Sequence, residues 1–181
     1  MRTRQVSVPR TPVTKLADIF CKIVDVAMAE QALACAPCHD LSRCQWEGIL
    51  FIQRHEYCSI RDLAEGLAVS HPAAVKMVER LVRKNLVDRR ESARDRRVVE
   101  LSLSEFGQQC FDAVRQQRAQ IFEAYMADMD PEETECLLIG LNGFLQAALK
   151  DRNTADAVCL HCGREHVDEC SIYRTTGNDT R

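Results

Sequence analysis

The stretch Ser59-Ile-Arg-Asp-Leu-Ala-Glu-Gly66-Leu-Ala-Val-Ser70-His-Pro-Ala-Ala-Val-Lys-Met-Val-Glu-Arg80-Leu-Val-Arg-Lys-Asn85 reads as two short helices joined by a tight turn. Ser59 stands three residues before Asp62, the spacing at which a hydroxyl and a carboxylate cap a helix start reciprocally. Leu63, Ala64 and Leu67 follow as the apolar face. Ser70 is expected to cap the second helix, with Pro72 in its first turn, where a missing N–H costs little. Ala74, Met77, Val78, Leu81 and Val82 recur at three and four and form the inward stripe. The opposite face carries Pro72, Ala73, Lys76, Glu79, Arg80 and Arg83. Asn85, tolerant of a left-handed backbone, is a plausible stop.

Working outward, the period changes from helical to alternating. Leu86–Arg90 reads as a short strand and Arg97–Leu103 as its hairpin partner, with Val99, Leu101 and Leu103 on one face and a polar loop, Glu91–Arg96, between them. Upstream, Leu16, Ile19, Phe20, Ile23, Val26 and Ala27 mark a helix over Thr14–Ala34. A connection around Pro37 follows, then a helix through Cys44, Trp46, Ile49, Leu50 and Ile52 that ends near Glu56. Downstream, Ser104 caps a long helix with Phe106, Cys110, Ala113, Val114, Ile121 and Tyr125. Asp130-Pro-Glu-Glu133 then opens another, carried by Leu137, Leu138, Leu141, Phe144, Leu145 and Leu149. The expected fold is mainly α with a small β-hairpin wing, a winged helix-turn-helix flanked by long helices.

The 181 residues are 46% hydrophobic and 28% charged, enough for one domain with a real core. No apolar run reaches bilayer length, and the basic start Met1–Arg10 lacks the apolar block of a secretory signal. A cytoplasmic protein without membrane contact is the expectation. Net charge is −3, unevenly spread: residues 1–75 sum to zero, residues 76–97 to +5 and residues 98–181 to −8. A basic helix face alone is ordinary solvated surface. Here the excess coincides with a helix-turn-helix and a hairpin in the order that a DNA reader needs. Ser70, His71, Pro72, Ala73, Lys76, Arg80 and Arg83 are the candidate DNA-contacting residues of the second helix, small at its start so that base edges come close. Arg89, Arg90, Arg94, Asp95, Arg96 and Arg97 are those of the wing, whose arginines suit a narrow minor groove.

Several segments together resemble the MarR family of winged helix-turn-helix regulators. They are Ser59-Ile-Arg-Asp-Leu-Ala, Val69–Leu81, Asn85-Leu-Val-Asp-Arg89, Arg94-Asp-Arg-Arg97 and Leu103-Ser-Glu-Phe-Gly107. The most specific part is the wing, where Asp95-Arg96-Arg97 matches Asp-x-Arg and Leu103–Gly107 matches Leu-Thr-x-x-Gly, with Ser104 in place of Thr. Asn85 stands where the family has glycine. The resemblance covers about Thr14 to Lys150. It implies a homodimer held by the first and the last two helices, a pseudo-palindromic double-stranded operator, usually repression, and often a small-molecule effector. It also implies that Arg97, oriented by Asp95, enters the minor groove. The domain layout that follows is an arm over residues 1–13 and the family domain over 14–150, with its DNA lobe at about 40–103 and dimerisation helices at 14–34 and 104–150. A Cys/His-rich tail occupies 151–181.

Ten cysteines without an export signal suggest ligands, redox centres or buried packing rather than a disulfide framework. Cys159, Cys162, His166 and Cys170 have the spacing C-x2-C-x3-H-x3-C, four donors that could enclose a zinc ion tetrahedrally. An iron–sulfur cluster is the alternative, with Cys35, Cys38 and Cys44 as a further source of thiolates or a separate site. The same trio could be small apolar residues at a helix junction. Cys21, Cys58, Cys110 and Cys136 read as packing residues. Cys35-Ala-Pro-Cys38-His39 matches the c-type haem pattern, which needs export, and is set aside. No triad, phosphate loop or His-Glu-x-x-His pattern points to an enzyme. The expected function is a DNA-binding regulator whose affinity follows a metal, cluster or thiol state. The alternatives are a regulator with a purely structural zinc site, or a small redox metalloprotein.

Overall fold

The computed structural model describes residues 12–34, 37, 40–55, 57–91 and 99–160. The chain opens with α1 (Pro12–Ile23), a π-helical segment (Val24–Glu30) and the short α2 (Gln31–Ala34). Then come α3 (Arg43–Arg54), β1 (Cys58–Ser59), α4 (Ile60–Gly66) and α5 (His71–Arg83). The hairpin β2 (Val87–Glu91) and β3 (Val99–Leu103) leads into α6 (Glu105–Ala127), α7 (Pro131–Ala148) and α8 (Arg152–Leu160). The expected order holds with three additions. The first helix contains a π segment, a third strand precedes α4, and α8 opens the stretch expected as a tail. None of the helices of the described residues is long and apolar enough to cross a membrane.

Local sequence explains the helix starts. Ser59 Oγ accepts from Asp62 N–H at 3.2 Å while Ser59 N–H donates to Asp62 Oδ2 at 2.9 Å, a complete capping box. Asp130 and Glu133 do the same for α7, and Ser42 and Gln45 for α3. Ser70 differs from expectation: it holds the N-cap position of α5, but its hydroxyl makes no cap bond. Pro72 has no N–H to offer, and the Ala73 N–H already donates to the Ser70 carbonyl at 2.9 Å. Two helix ends close alike. After α4, Ala68 is left-handed and Val69 N–H donates to Ala64 O. After α5, Asn85 takes φ 57° and Leu86 N–H donates to Leu81 O at 2.9 Å.

The sheet runs β1-β3-β2, antiparallel throughout. Cys58 pairs with Leu101 on one side of β3 and Arg89 pairs with Leu101 on the other. Leu101 is buried and Leu103 partly so, but Val99, expected on the same inward face, is 41% exposed. The core gathers Leu33, Ile49, Ile52, Leu63, Val78, Leu81, Leu86, Phe111 and Val114 from five helices and the turn after α5. Trp46 of α3 stacks on Phe111 of α6 at 5.7 Å between ring centroids, fastening α6 to the lobe beneath α5. Val82, expected in the inward stripe, lies at its edge and is exposed.

The tightest junction is between the start of α6 and the turn that follows α5. Ser104 Oγ accepts from Gly107 N–H at 2.9 Å and donates to the Asn85 carbonyl, while Ser104 N–H donates to Leu86 O at 3.1 Å. A Cβ on Gly107 would lie 1.9 Å from the Leu86 carbonyl oxygen. Only glycine admits this approach, because the obstacle is backbone and cannot turn aside. Gly107→Ala is therefore expected to cost about 2–3 kcal/mol of unfolding free energy. Ser104→Ala should cost about 1–2 kcal/mol. Urea denaturation followed by circular dichroism checks both, and equal stability of Gly107→Ala and wild type would contradict the close approach.

Candidate nucleic-acid interface

The α5 helix is built on its buried side. Ala74, Val78 and Leu81 are fully buried, so α5 cannot roll, and His71, Pro72, Ala73, Lys76, Glu79, Arg80 and Arg83 all face solvent. Lys76, Arg80 and Arg83 make no ion pair among the described residues and remain available to an anion. Arg61 on the neighbouring α4 is different, since it donates to Glu65 at 2.9 Å. Ser70, with its hydroxyl uncommitted to the helix, is exposed at the same N-terminal end.

Arg89 and Arg90 are exposed on β2, beside the register pairs Arg89–Leu101 and Arg90–Glu100. Arg90 also lies 3.8 Å from Asp88, a loose surface pair worth little in water. Arg94, Asp95, Arg96 and Arg97, the expected wing tip, lie outside the described residues. One cation of the basic block is turned away: Lys84 Nζ donates to the Asp40 carbonyl at 2.5 Å and to Gln45 Oε1 at 3.3 Å. The Ser42-x-x-Gln45 spacing is a capping box legible in the sequence, but the approach of Lys84 to it joins residues about forty positions apart.

The candidate metal ligands divide. Cys35, Cys38, Cys162, His166 and Cys170 lie outside the described residues. Cys159 falls in the last turn of α8. Cys44 is exposed at the start of α3, so it is not the buried packing residue that one reading made it. Among the described residues no group of three His, Cys, Asp or Glu is placed to hold a metal ion. Of the cysteines expected to pack, Cys58 and Cys110 are buried, but Cys21 and Cys136 are exposed on α1 and α7. Their helices bury none of their residues within the protomer, so an apolar period there does not imply burial in this chain.

Those two helices leave an apolar surface uncovered. Leu16 and Ile19 of α1 and Leu138, Ile139 and Phe144 of α7 are each more than half exposed. Between α1, the π segment and the end of α6 runs an open groove of about 1080 Å³, lined by Phe20, Ile23, Val26, Phe122, Tyr125 and Met126 among others.

A helix-turn-helix whose second helix turns a cationic face outward, with an antiparallel hairpin beside it, defines the winged helix-turn-helix class. Residues 39–98 match the MarR family model. It is 33% identical over 82 residues to the HTH-type transcriptional repressor MdtR of Bacillus subtilis (strain 168), covering 45% of this chain and 53% of MdtR. The chain thus spans little more than half the length of that curated relative. Among solved structures, the YusO protein from Bacillus subtilis superposes with a TM-score of 0.61 at 24% identity, covering 77% of this chain and 100% of YusO. Streptococcus pneumoniae FabT in complex with DNA gives 0.56 at 23% identity, covering 73% of this chain and 91% of FabT.

Burial among apolar neighbours, with Asp62 nearby, pushes the Cys58 thiol up from 9.0 to about 12. The folded state therefore holds the Cys58 proton more tightly than the unfolded chain does. The associated stability is complete below about pH 9 and is lost as pH rises towards 12. At pH 8, iodoacetamide should label the exposed Cys44 in the native protein and leave Cys58 untouched, as read by peptide mass spectrometry. Labelling of Cys58 at the rate of Cys44 would show that β1 does not seal the thiol.

Proposed function

We propose that the protein is a sequence-specific DNA-binding transcription regulator, a repressor and not an enzyme, acting in the cytoplasm as a homodimer on a pseudo-palindromic operator. The observation that carries this is the outward face of α5, where Lys76, Arg80 and Arg83, above a stripe that cannot rotate, make no ion pair among the described residues. In that frame Ala73 and Pro72 let the helix start close to base edges, while Lys76 and Arg80 donate to purine acceptors or phosphates. Ser70 and His71 face the backbone at the same end. Arg83, Arg89 and Arg90 extend the cationic track, and Arg94, Arg96 and Arg97 with Asp95 complete it at the wing tip. The match of residues 39–98 to the MarR family, the similarity to the repressor MdtR and the structural likeness to DNA-bound FabT support the same reading.

The uncovered apolar faces of α1 and α7 support the dimer. An exposed helix that carries Leu138, Ile139, Phe144 and Leu145 needs a partner surface, and a second copy supplies one with two-fold symmetry. That symmetry sets two half-sites roughly one helical turn, about 10 bp, apart. Sedimentation at dimer mass is expected. Arg80→Ala should weaken binding to the tightest duplex selected from a random pool by about ten- to a hundredfold. Fluorescence anisotropy at fixed salt measures this, and unaltered affinity would remove α5 from the interface.

We propose further that Cys159, Cys162, His166 and Cys170 hold a zinc ion, with an iron–sulfur cluster as the alternative, and that ligation biases the DNA-competent state. The Cys/His spacing supports this. So does the placement of Cys159 at the end of α8, a helix anchored by buried Ala155, where a ligated segment would be tied to the protomer. Cys35, Cys38 and Cys44 are the reserve donors. A double Cys159→Ser, Cys162→Ser variant should lose its metal on elemental analysis of anaerobically purified protein and shift operator affinity by about five- to a hundredfold. If metal content and affinity both match wild type, the site is not there.

A further inference from the structure

Lys84 closes α5, and its ammonium is used inside the molecule. Nζ donates at 2.5 Å to the Asp40 carbonyl and at 3.3 Å to Gln45 Oε1. Both acceptors are held in place. Gln45 is buried, and the same Oε1 accepts from Ser42 N–H at 3.2 Å as part of the α3 cap. Asp40 takes a left-handed backbone, φ 69°, just ahead of that cap. On the other side, the turn after Lys84 is gripped by α6: Ser104 donates to Asn85 O through its hydroxyl and to Leu86 O through its N–H. The buried stripe fixes the roll of α5, but roll leaves the tilt free. Tilt depends on where the two ends of the helix are attached. At the C-terminal end, α3 attaches through Lys84 and α6 through Ser104.

We propose that Lys84 is a positioning residue for operator reading, holding the end of α5 on the start of α3 through Asp40 and Gln45, and is not itself a phosphate contact. This rests on the assignment of α5 as the DNA-reading helix. A lysine suits the task because its ammonium brings several donors on a long stem, and its charge faces the carbonyl end of the helix dipole favourably. Arg83, one residue earlier, is exposed and makes no ion pair among the described residues, and serves as the contrasting phosphate contact.

The test compares Lys84→Met, Lys84→Gln, Lys84→Arg and Arg83→Met in the full chain. Binding is measured by anisotropy on two duplexes, the tightest selected from a random pool and one of scrambled sequence, between 50 and 200 mM salt, roughly the range over which phosphate contacts register. Lys84→Met and Lys84→Gln are expected to bind the selected duplex about tenfold more weakly. Their affinity for the scrambled duplex and the slope of log K against log salt should match wild type. Lys84→Arg, which can reach the same two acceptors, should retain affinity to within about threefold. Arg83→Met should weaken both duplexes alike and flatten the slope by about 1. A flattened slope in Lys84→Met, an unchanged preference, or a Lys84→Arg as poor as Lys84→Met would each overturn the proposal. A wild type that does not prefer its selected duplex would instead overturn the assignment of α5.

Discussion

The structure depends on the seating of one helix. Ala74, Val78 and Leu81 lie wholly inside, and burying the two larger side chains contributes about 1.5–3 kcal/mol each. A roll of α5 by one residue, about 100°, would expose them and in one direction press Arg80 towards the core. Burial of an unpaired cation costs more than any solvated position could recover. The outward direction of the cationic face thus follows from apolar packing alone, before any electrostatic attraction is considered.

Attachment of the remaining helices is unequal. The long α6 is continuous with the lobe: Phe111 stacks on Trp46, Arg115 lies 5.5 Å from the centre of the Phe111 ring, and Gly107 touches the backbone of the turn after α5. A displacement of α6 is therefore transmitted to α5 through backbone contact and the stacked rings. By contrast α1 and α7 have no fully buried residue within the protomer. Within the protomer, α6 packs into the lobe that seats α5, whereas α1 and α7 leave apolar faces exposed.

What the sequence disclosed was local. Capping at Ser59–Asp62 and Asp130–Glu133, the left-handed stop at Asn85 and the alternation after Leu86 each act within a few residues, and all are present. What it concealed was non-local or had no signature. A two-residue strand such as Cys58–Ser59 has no period, and exists because β3, forty residues on, offers a free edge. Lys84 counted as one more basic residue until Asp40 and Gln45 were found beneath it. Cys21, Cys136 and Val82 lie on apolar periods, and a period identifies a face without identifying what covers it. The Ser70 hydroxyl looked like a cap, and Pro72 removed the need for one. The wing tip and most of the cysteine motif lie outside the described residues, so their assignment still rests on spacing.

The π-helical segment Val24–Glu30 divides the first helix between two allegiances. Beyond it, Ala32 and Leu33 enter the core, and Asp25 within it is bonded to Arg43 of α3 at 3.0 Å. Before it, α1 presents Leu16, Ile19 and Ile23 to solvent. A wider turn changes the angular phase between the two halves, so an ordinary α-helix of the same length would aim the leading half elsewhere. Chain length in this segment acts as a vernier: removing one residue would swing the α1 face by about 100° relative to the lobe without altering a single side chain on either surface.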